Sequence, residues 1–412
     1  MSREYQFETR LLLSNNRNEY GAVNRAIYQT NAFEYETAEE LEKVFAGQAQ
    51  GYNYTRVGNP SNNEFEEKIK ELENGIGALS TASGMAAIAA AVLALVEAGD
   101  EIVAGNSLFG GTYSFFKDNL KDWGVKCNFV ETTELEQYQQ AINPKTKLIY
   151  IETVGNPKLD IPNIKKIAEI AHQHGLPLIL DNTLMTPYLF QAKEYGVDVV
   201  VHSTSKFING SSNSIGGAVV DTGNFNWAES DNPLLADYLK FGPFAYLARL
   251  RQDIFRNLGP CASPFNSYLN NLGVETLALR MEKHCSNALE LARFFDSNSA
   301  IKGVNYPGLK SNPYHQLAAE QFNNHFGGLL TFEVGSKKEA FKVINELKIA
   351  KNLSNLGGLR TLVIHPASTI YHKLSESEKR VLGVTPALIR VSVGIESARD
   401  IIEDFSQALE KL

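Results

Sequence analysis

The chain has 412 residues and a net charge of −8, from 39 Lys and Arg against 47 Asp and Glu. That length exceeds one ordinary domain and suits two or three cores. An acidic balance without clustered basic residues leaves no footprint for nucleic acid or an anionic membrane surface, and no apolar run approaches the ~20 residues of a membrane span.

Met1 to Leu13 carries Arg3, Glu4, Glu8 and Arg10 ahead of its short apolar triplet, so it does not read as a secretory segment. Residues 1–60 lack a strong period and read as an extended arm that gains order by packing on something else. A helix is expected over Glu64–Asn74, ended by Gly75, and a very apolar one over Gly84–Ala98, with Ser83 at its start and Gly99 as its stop signal. Short apolar runs then alternate with helical stretches: Glu101–Ala104, Val125–Val130, Leu148–Ile151, Leu176–Leu180, Val197–Val201 and Ile215–Val220. Such runs suit strands buried on both faces, with helices between them implying a mostly parallel α/β sheet.

The pattern breaks over 221–260 into a segment rich in Gly, Asn, Pro and aromatics, read as an insertion. One long amphipathic helix is expected over about Pro264–Asn298, bridging two domains. Strands Gly328–Val334, Thr361–Ile364 and Leu388–Val393 with helices Lys337–Glu346 and Ala398–Leu412 suggest a smaller α/β domain. The expected parts are therefore an arm (1–60), a large domain (61–260) and a C-terminal domain (261–412) that begins with the long helix. Cys127, Cys261 and Cys285 are too scattered for a disulfide framework or a zinc site, which fits a reducing cytoplasm. The histidines show no metal spacing, and no metal is expected.

Asp181 ends an apolar strand, where ligands bind in open α/β sheets. A second strand runs into His202-Ser203-Thr204-Ser205-Lys206. One arrangement unites them: a carboxylate that keeps a pyridine nitrogen protonated, and a partly desolvated lysine amine that forms a Schiff base with pyridoxal phosphate (PLP). Taken alone, Asp181 would be a strand-end cap and Lys206 a loop cation. Ser83-Gly84-Met85 opens a helix whose free N–H groups suit a phosphate, with Ser203 and Ser205 as further donors. Tyr54 and Arg56, two apart on an extended arm, face one side and could reach one anion. Arg390 lies inside an apolar strand and needs a partner, either a substrate carboxylate or a structural acid.

With these residues in view, the chain resembles the PLP-dependent enzymes of cysteine and methionine metabolism over essentially its whole length. The landmarks are Tyr54-Thr55-Arg56, Ser83-Gly84-Met85-Ala86-Ala87, Glu152-Thr153, Gly155-Asn156-Pro157, Asp181-Asn182-Thr183, Ser203-Thr204-Ser205-Lys206, His365-Pro366-Ala367-Ser368 and Arg390 through Glu396. The resemblance implies fold type I, with an arm, a large PLP domain and a smaller C-terminal domain, in a homotetramer of two active dimers. It implies Lys206 as cofactor anchor and proton shuttle, and Asp181 at the ring nitrogen. Gly84, Met85, Ser203 and Ser205 would hold the phosphate. Tyr54 and Arg56 would reach it from a neighbouring subunit, and Asn156 and Arg390 would contact the substrate carboxylate or cofactor hydroxyl.

Within that family, Phe241–Arg251 and Arg256–Asn266 resemble the O-acetylhomoserine sulfhydrylases. Those enzymes replace acetate by sulfide to give homocysteine. Phe109 stands where most of the family stacks a tyrosine on the ring, which fits a weakly basic carboxylate leaving group better than a thiolate. Gly111 lacks the cysteine usual in methionine γ-lyases, and Asn355 stands where many relatives have a serine near the substrate carboxylate. The alternatives are cystathionine γ-synthase, O-succinylhomoserine sulfhydrylase, methionine γ-lyase, or a PLP protein that takes sulfur from a carrier partner.

Overall fold

A computed structural model of the chain describes residues 5–13 and 19–412. Parts of the expected arm, residues 1–4 and 14–18, lie outside the described residues. The rest of the arm is mostly extended and exposed. Its helix Ala38–Phe45, capped by the Thr37 side chain, has no buried residue.

Helix Pro60–Leu72 begins with an Asn59 cap and Pro60 at its first position, and it buries Phe65, Ile69 and Leu72. Seven strands follow: β1 (Gly77–Thr81), β2 (Glu101–Gly105), β3 (Lys126–Val130), β4 (Thr146–Glu152), β5 (Leu178–Asp181), β6 (Val199–His202) and β7 (Gly217–Asp221). They form one sheet in the order β1-β7-β6-β5-β4-β2-β3. Only β7 runs against its neighbours, so the sheet is mostly parallel, as its apolar strands suggest. The chain steps from β2 to the edge strand β3 and then returns past β2 to β4. That reversal opens a crevice beyond the C-terminal ends of the strands, the usual ligand position in such sheets.

The apolar helix is shorter than its pattern suggests, running Gly84–Leu93. Its last carbonyls are taken by side chains from the segment read as an insertion. Tyr246 Oη donates to Ala91 O, Arg249 Nε to Ala94 O, and Asn232 Nδ2 to Leu95 O. These caps do the work expected of Gly99, which reverses the chain five residues later at φ +102°. The same segment buries Trp227, Leu235, Tyr246, Leu250 and Phe255 in the large-sheet core, with the Trp227 and Tyr246 rings stacked 4.7 Å apart. What reads as an insertion is thus a structural wall.

The single helix expected over Pro264–Asn298 is two, Pro264–Glu275 and Leu277–Asp296. The break at Thr276 (φ −107°, ψ 10°) lies beside the loop after Lys206. There Gly273 approaches the Asn209 backbone so closely that a Cβ would lie 2.5 Å from its carbonyl oxygen. Arg280 stitches the junction by donating to the carbonyls of Phe207, Ile208 and Gly273. Helix Leu277–Asp296 gives Leu277, Met281 and Cys285 to one core and Ala288, Leu291 and Phe295 to the next.

The second sheet comprises β8 (Gly303–Asn305), β9 (Leu329–Glu333), β10 (Lys351–Asn352), β11 (Leu362–Ile364) and β12 (Leu388–Ser392), in the order β10-β11-β12-β9-β8. Helices Lys337–Glu346 and Ala398–Leu409 cover one face with Val343, Ile344, Ile401 and Phe405. Alternation along β12 sends Ile389 and Val391 into that core and turns Arg390 the other way. No helix among the described residues is long and apolar enough to cross a membrane.

Candidate active site

A cavity of about 480 Å³ opens where the two sheets face each other. Its lining includes Ser83, Gly84, Met85, Phe109, Asn156, Asp181, Ser203, Ser205, Lys206, Asn355 and Arg390. The ends of β4, β5 and β6, the turn after β2 and the start of helix Gly84–Leu93 converge there, and β12 closes the far side.

Gly84 packs against Ser203 so tightly that a Cβ would meet the Ser203 Cβ at 2.5 Å. Glycine is therefore required for the helix N-terminus and the Ser203–Lys206 turn to share one concave surface. The Ser83 hydroxyl caps the helix at Ala86 N (3.1 Å). Thr183 braces the turn from below, its Oγ1 accepting the Ser203 N–H at 2.8 Å. The Ser205 hydroxyl donates to Gly216 O and accepts Gly216 N–H, at 3.1 and 3.0 Å.

Lys206 Nζ donates to Asn355 Oδ1 at 2.6 Å. Burial, followed by the nearby charge of Arg390, pulls the Lys206 pKa down to about 8, so a neutral amine is accessible near physiological pH. Asp181 Oδ1 accepts the Thr183 N–H at 2.9 Å, and burial raises the pKa of its carboxyl. Phe109 presents its ring at the mouth of the cavity, 40% exposed, and its N–H donates to Glu152 Oε1 at 2.7 Å.

Arg390 is buried, yet its partners are neutral. Nη1 donates to Asn156 Oδ1 at 3.0 Å, Nη2 to Asn355 O at 3.2 Å, and Nε has no partner among the described residues. Of the two partners weighed from the sequence, the structural acid is absent among the described residues, and an anion entering the cavity would complete the set. The Asn355 side chain serves Lys206, and only its backbone serves Arg390.

Tyr54 and Arg56 lie elsewhere. They are exposed on the arm, the Arg56 guanidinium 5.1 Å over the Tyr54 ring, and neither lines the cavity. Sequence reasoning missed the Thr183 brace and gave Glu152 no role beyond that of a landmark; that it lies beside Asp181 emerges only from the ladder. It also missed Tyr371, whose hydroxyl donates to Asn156 O at 2.5 Å. Among the described residues no cluster of His, Cys, Asp or Glu could hold a metal.

The family model for the Cys/Met metabolism PLP-dependent enzymes matches residues 8–410. The chain belongs to that family. Its PLP-dependent relatives include the homocysteine/cysteine synthase of Saccharomyces cerevisiae, 40% identical over 93% of this chain and 92% of that protein. The O-acetyl-L-homoserine sulfhydrylase of Leptospira meyeri is 38% identical over 100% of this chain and 98% of its own. A solved structure of a putative O-acetylhomoserine (thiol)-lyase from Campylobacter jejuni has a TM-score of 0.93 at 34% identity, covering 98% of this chain and 100% of that one. That structure carries N'-pyridoxyl-lysine-5'-monophosphate.

The cavity suits PLP on its own geometry. A glycine-lined helix start faces the Ser203 turn, a depressed lysine stands beside it, and a buried carboxyl ends the neighbouring strand.

Proposed function

We propose that the enzyme replaces the acetyl ester of O-acetyl-L-homoserine by sulfide, releasing acetate and L-homocysteine. The observation that carries this reading is the distribution of charge in the cavity. Among the described residues its two cations are Lys206, which the cofactor would use, and Arg390, which has neutral partners only, a buried Nε left without one, and would hold an incoming carboxylate. Among the described residues of this chain no third cation lines the cavity, and Arg56 of a neighbouring copy would be taken up by the phosphate, which leaves none for the second carboxylate of a succinyl ester.

Bound PLP supplies an electron-withdrawing ring joined to the substrate nitrogen. Arg390, steered by Asn156, holds the substrate carboxylate. Asp181 would meet the ring nitrogen, Phe109 would cover the ring, and Gly84, Met85, Ser203 and Ser205 would hold the phosphate, with Ser83 capping their helix. Lys206, with Asn355 Oδ1 steadying its amine, would carry protons from Cα and Cβ. The C–O bond at Cγ breaks with acetate taking its electron pair, sulfide forms the new C–S bond, and Lys206 returns the protons. Acetate is a weak base and departs without a strong acid, which suits Phe109 in place of a phenol.

The arm belongs to the same reading. Tyr54 and Arg56 would reach the phosphate of a neighbouring copy in a homotetramer. A cytoplasmic setting suits three free cysteines.

Purified holoenzyme should form homocysteine from O-acetyl-L-homoserine and sulfide alone, far faster than from the O-succinyl ester, and Lys206→Ala should abolish it. Rapid methanethiol release from L-methionine, faster turnover with cysteine as thiol, or a requirement for a carrier protein would each overturn the assignment. Mixing inactive Lys206→Ala with inactive Arg56→Ala subunits should restore part of the activity. No recovery from subunits shown to exchange would sink the shared site.

A further inference from the structure

β4 and β5 end side by side on two acids. Glu152 and Asp181 are partners in the ladder, both are buried, and both line the cavity. Adjacent strands lie about 4.8 Å apart, and two carboxyls so close in a dry site do not both ionise.

Neither cation of the cavity bonds to these acids. Lys206 is held by Asn355 and Arg390 by Asn156 and Asn355. The remaining titratable neighbours are Asp160 and Tyr371 near Glu152, and Tyr150 and His202 near Asp181.

Their surroundings decide which acid keeps its proton. Asp181 accepts the Thr183 N–H and has the Tyr150 hydroxyl and His202 ring nearby, all of which favour a carboxylate. Glu152 accepts a single N–H, from Phe109, and faces a second acid, Asp160. Burial and the Asp181 charge together push its carboxyl well above the usual range. The start of the turn is tied separately, by Ser107 N–H to Thr132 Oγ1 and Ser107 Oγ to Asp160 Oδ2, but helix Gly110–Ser114 begins at Phe109 without a side-chain cap, so Glu152 holds the end that carries the ring.

We propose that Glu152 is a positioning residue that works as a neutral acid: it anchors the Phe109 turn over the cofactor ring and leaves Asp181 as the only negative charge at the ring nitrogen. This rests on the placement of Asp181 and Phe109 about the ring. The two tasks separate by substitution. Glutamine keeps a carbonyl for the Phe109 N–H and is as neutral as the acid it replaces, whereas alanine removes the anchor.

Three holoenzymes, Glu152→Gln, Glu152→Ala and Asp181→Ala, are compared with the parent by visible circular dichroism of bound PLP, by pH titration of its visible band, and by kcat/KM. Glu152→Gln should keep the dichroic band and the titration midpoint. Glu152→Ala should weaken the band and lower kcat/KM by roughly tenfold to a hundredfold, the cost of a slightly misplaced group. A downward shift of the midpoint in Glu152→Gln would mean a lost negative charge and would overturn the proposal. So would an unchanged dichroic band in Glu152→Ala. If Asp181→Ala binds PLP with an unaltered spectrum, the placement of Asp181 fails instead, whatever Glu152 does. Should Glu152→Ala fail to fold, the Glu152→Gln titration alone decides.

Discussion

Arg280 and Arg390 are both buried, and both are bonded to neutral groups rather than carboxylates. Arg280 has a partner at every nitrogen: Nε donates to Thr276 Oγ1 at 3.0 Å, Nη1 to Phe207 O in the loop after Lys206, and Nη2 to Ile208 O and to Gly273 O beside the helix break. Arg390 keeps Nε unpartnered and borders the cavity. Leaving a buried charge short of partners is costly. The difference separates a cation that holds the fold together from one kept ready for an anion.

The contrast breaks most readily at Arg390. Arg390→Ala should lower kcat/KM roughly a thousandfold, about 4 kcal/mol for a desolvated charge pair, while the denaturation midpoint stays near that of the parent. Steady-state kinetics beside a denaturant titration checks both halves. A large stability loss with modest kinetic loss would place Arg390 with Arg280.

Arg280→Met should do the opposite, costing roughly 3 kcal/mol of stability by stranding buried carbonyls. The molecules that remain folded should keep most of their kcat/KM. Denaturant midpoints corrected for folded fraction measure this.

The smallest effect is electrostatic. Burial and Arg390 both lower the Lys206 pKa, to about 8. Below that pH the apo-enzyme amine is protonated, so the rate of PLP capture should rise through about pH 8. In Arg390→Ala one of the two causes is gone, and the midpoint should move upward. In Arg280→Met it should stay, because Arg280 is not among those causes. Capture rates against pH, followed by absorbance, make the test.

Much of the site was legible because each part obeys a local rule. Asp181 and Lys206 follow apolar strands, and Ser83-Gly84 opens an apolar helix. The rest depended on contacts between distant segments. β1 escaped notice because it is an edge strand whose polar Ser80 bonds Glu66 on the preceding helix. The early stop at Leu93 depends on Asn232, Tyr246 and Arg249, and the break at Thr276 on the Lys206 loop, so neither shows in local periodicity. Asn355 was expected near the substrate carboxylate, and only the fold reveals that its side chain faces Lys206 while its backbone carbonyl meets Arg390. The Glu152 carboxyl gains its meaning from Asp181, its neighbour across the ladder and far along the chain.

The bond from Arg390 to Asn156 joins β12 of the smaller sheet to the loop beyond β4 of the larger, and Tyr371 ties the same loop from the C-terminal part of the chain. On the proposed reading, the two groups that would meet the substrate carboxylate stand on different sheets. The spacing of the sheets would then set the width of the grip, and the same bond that orients Arg390 would hold the two parts of the chain in register.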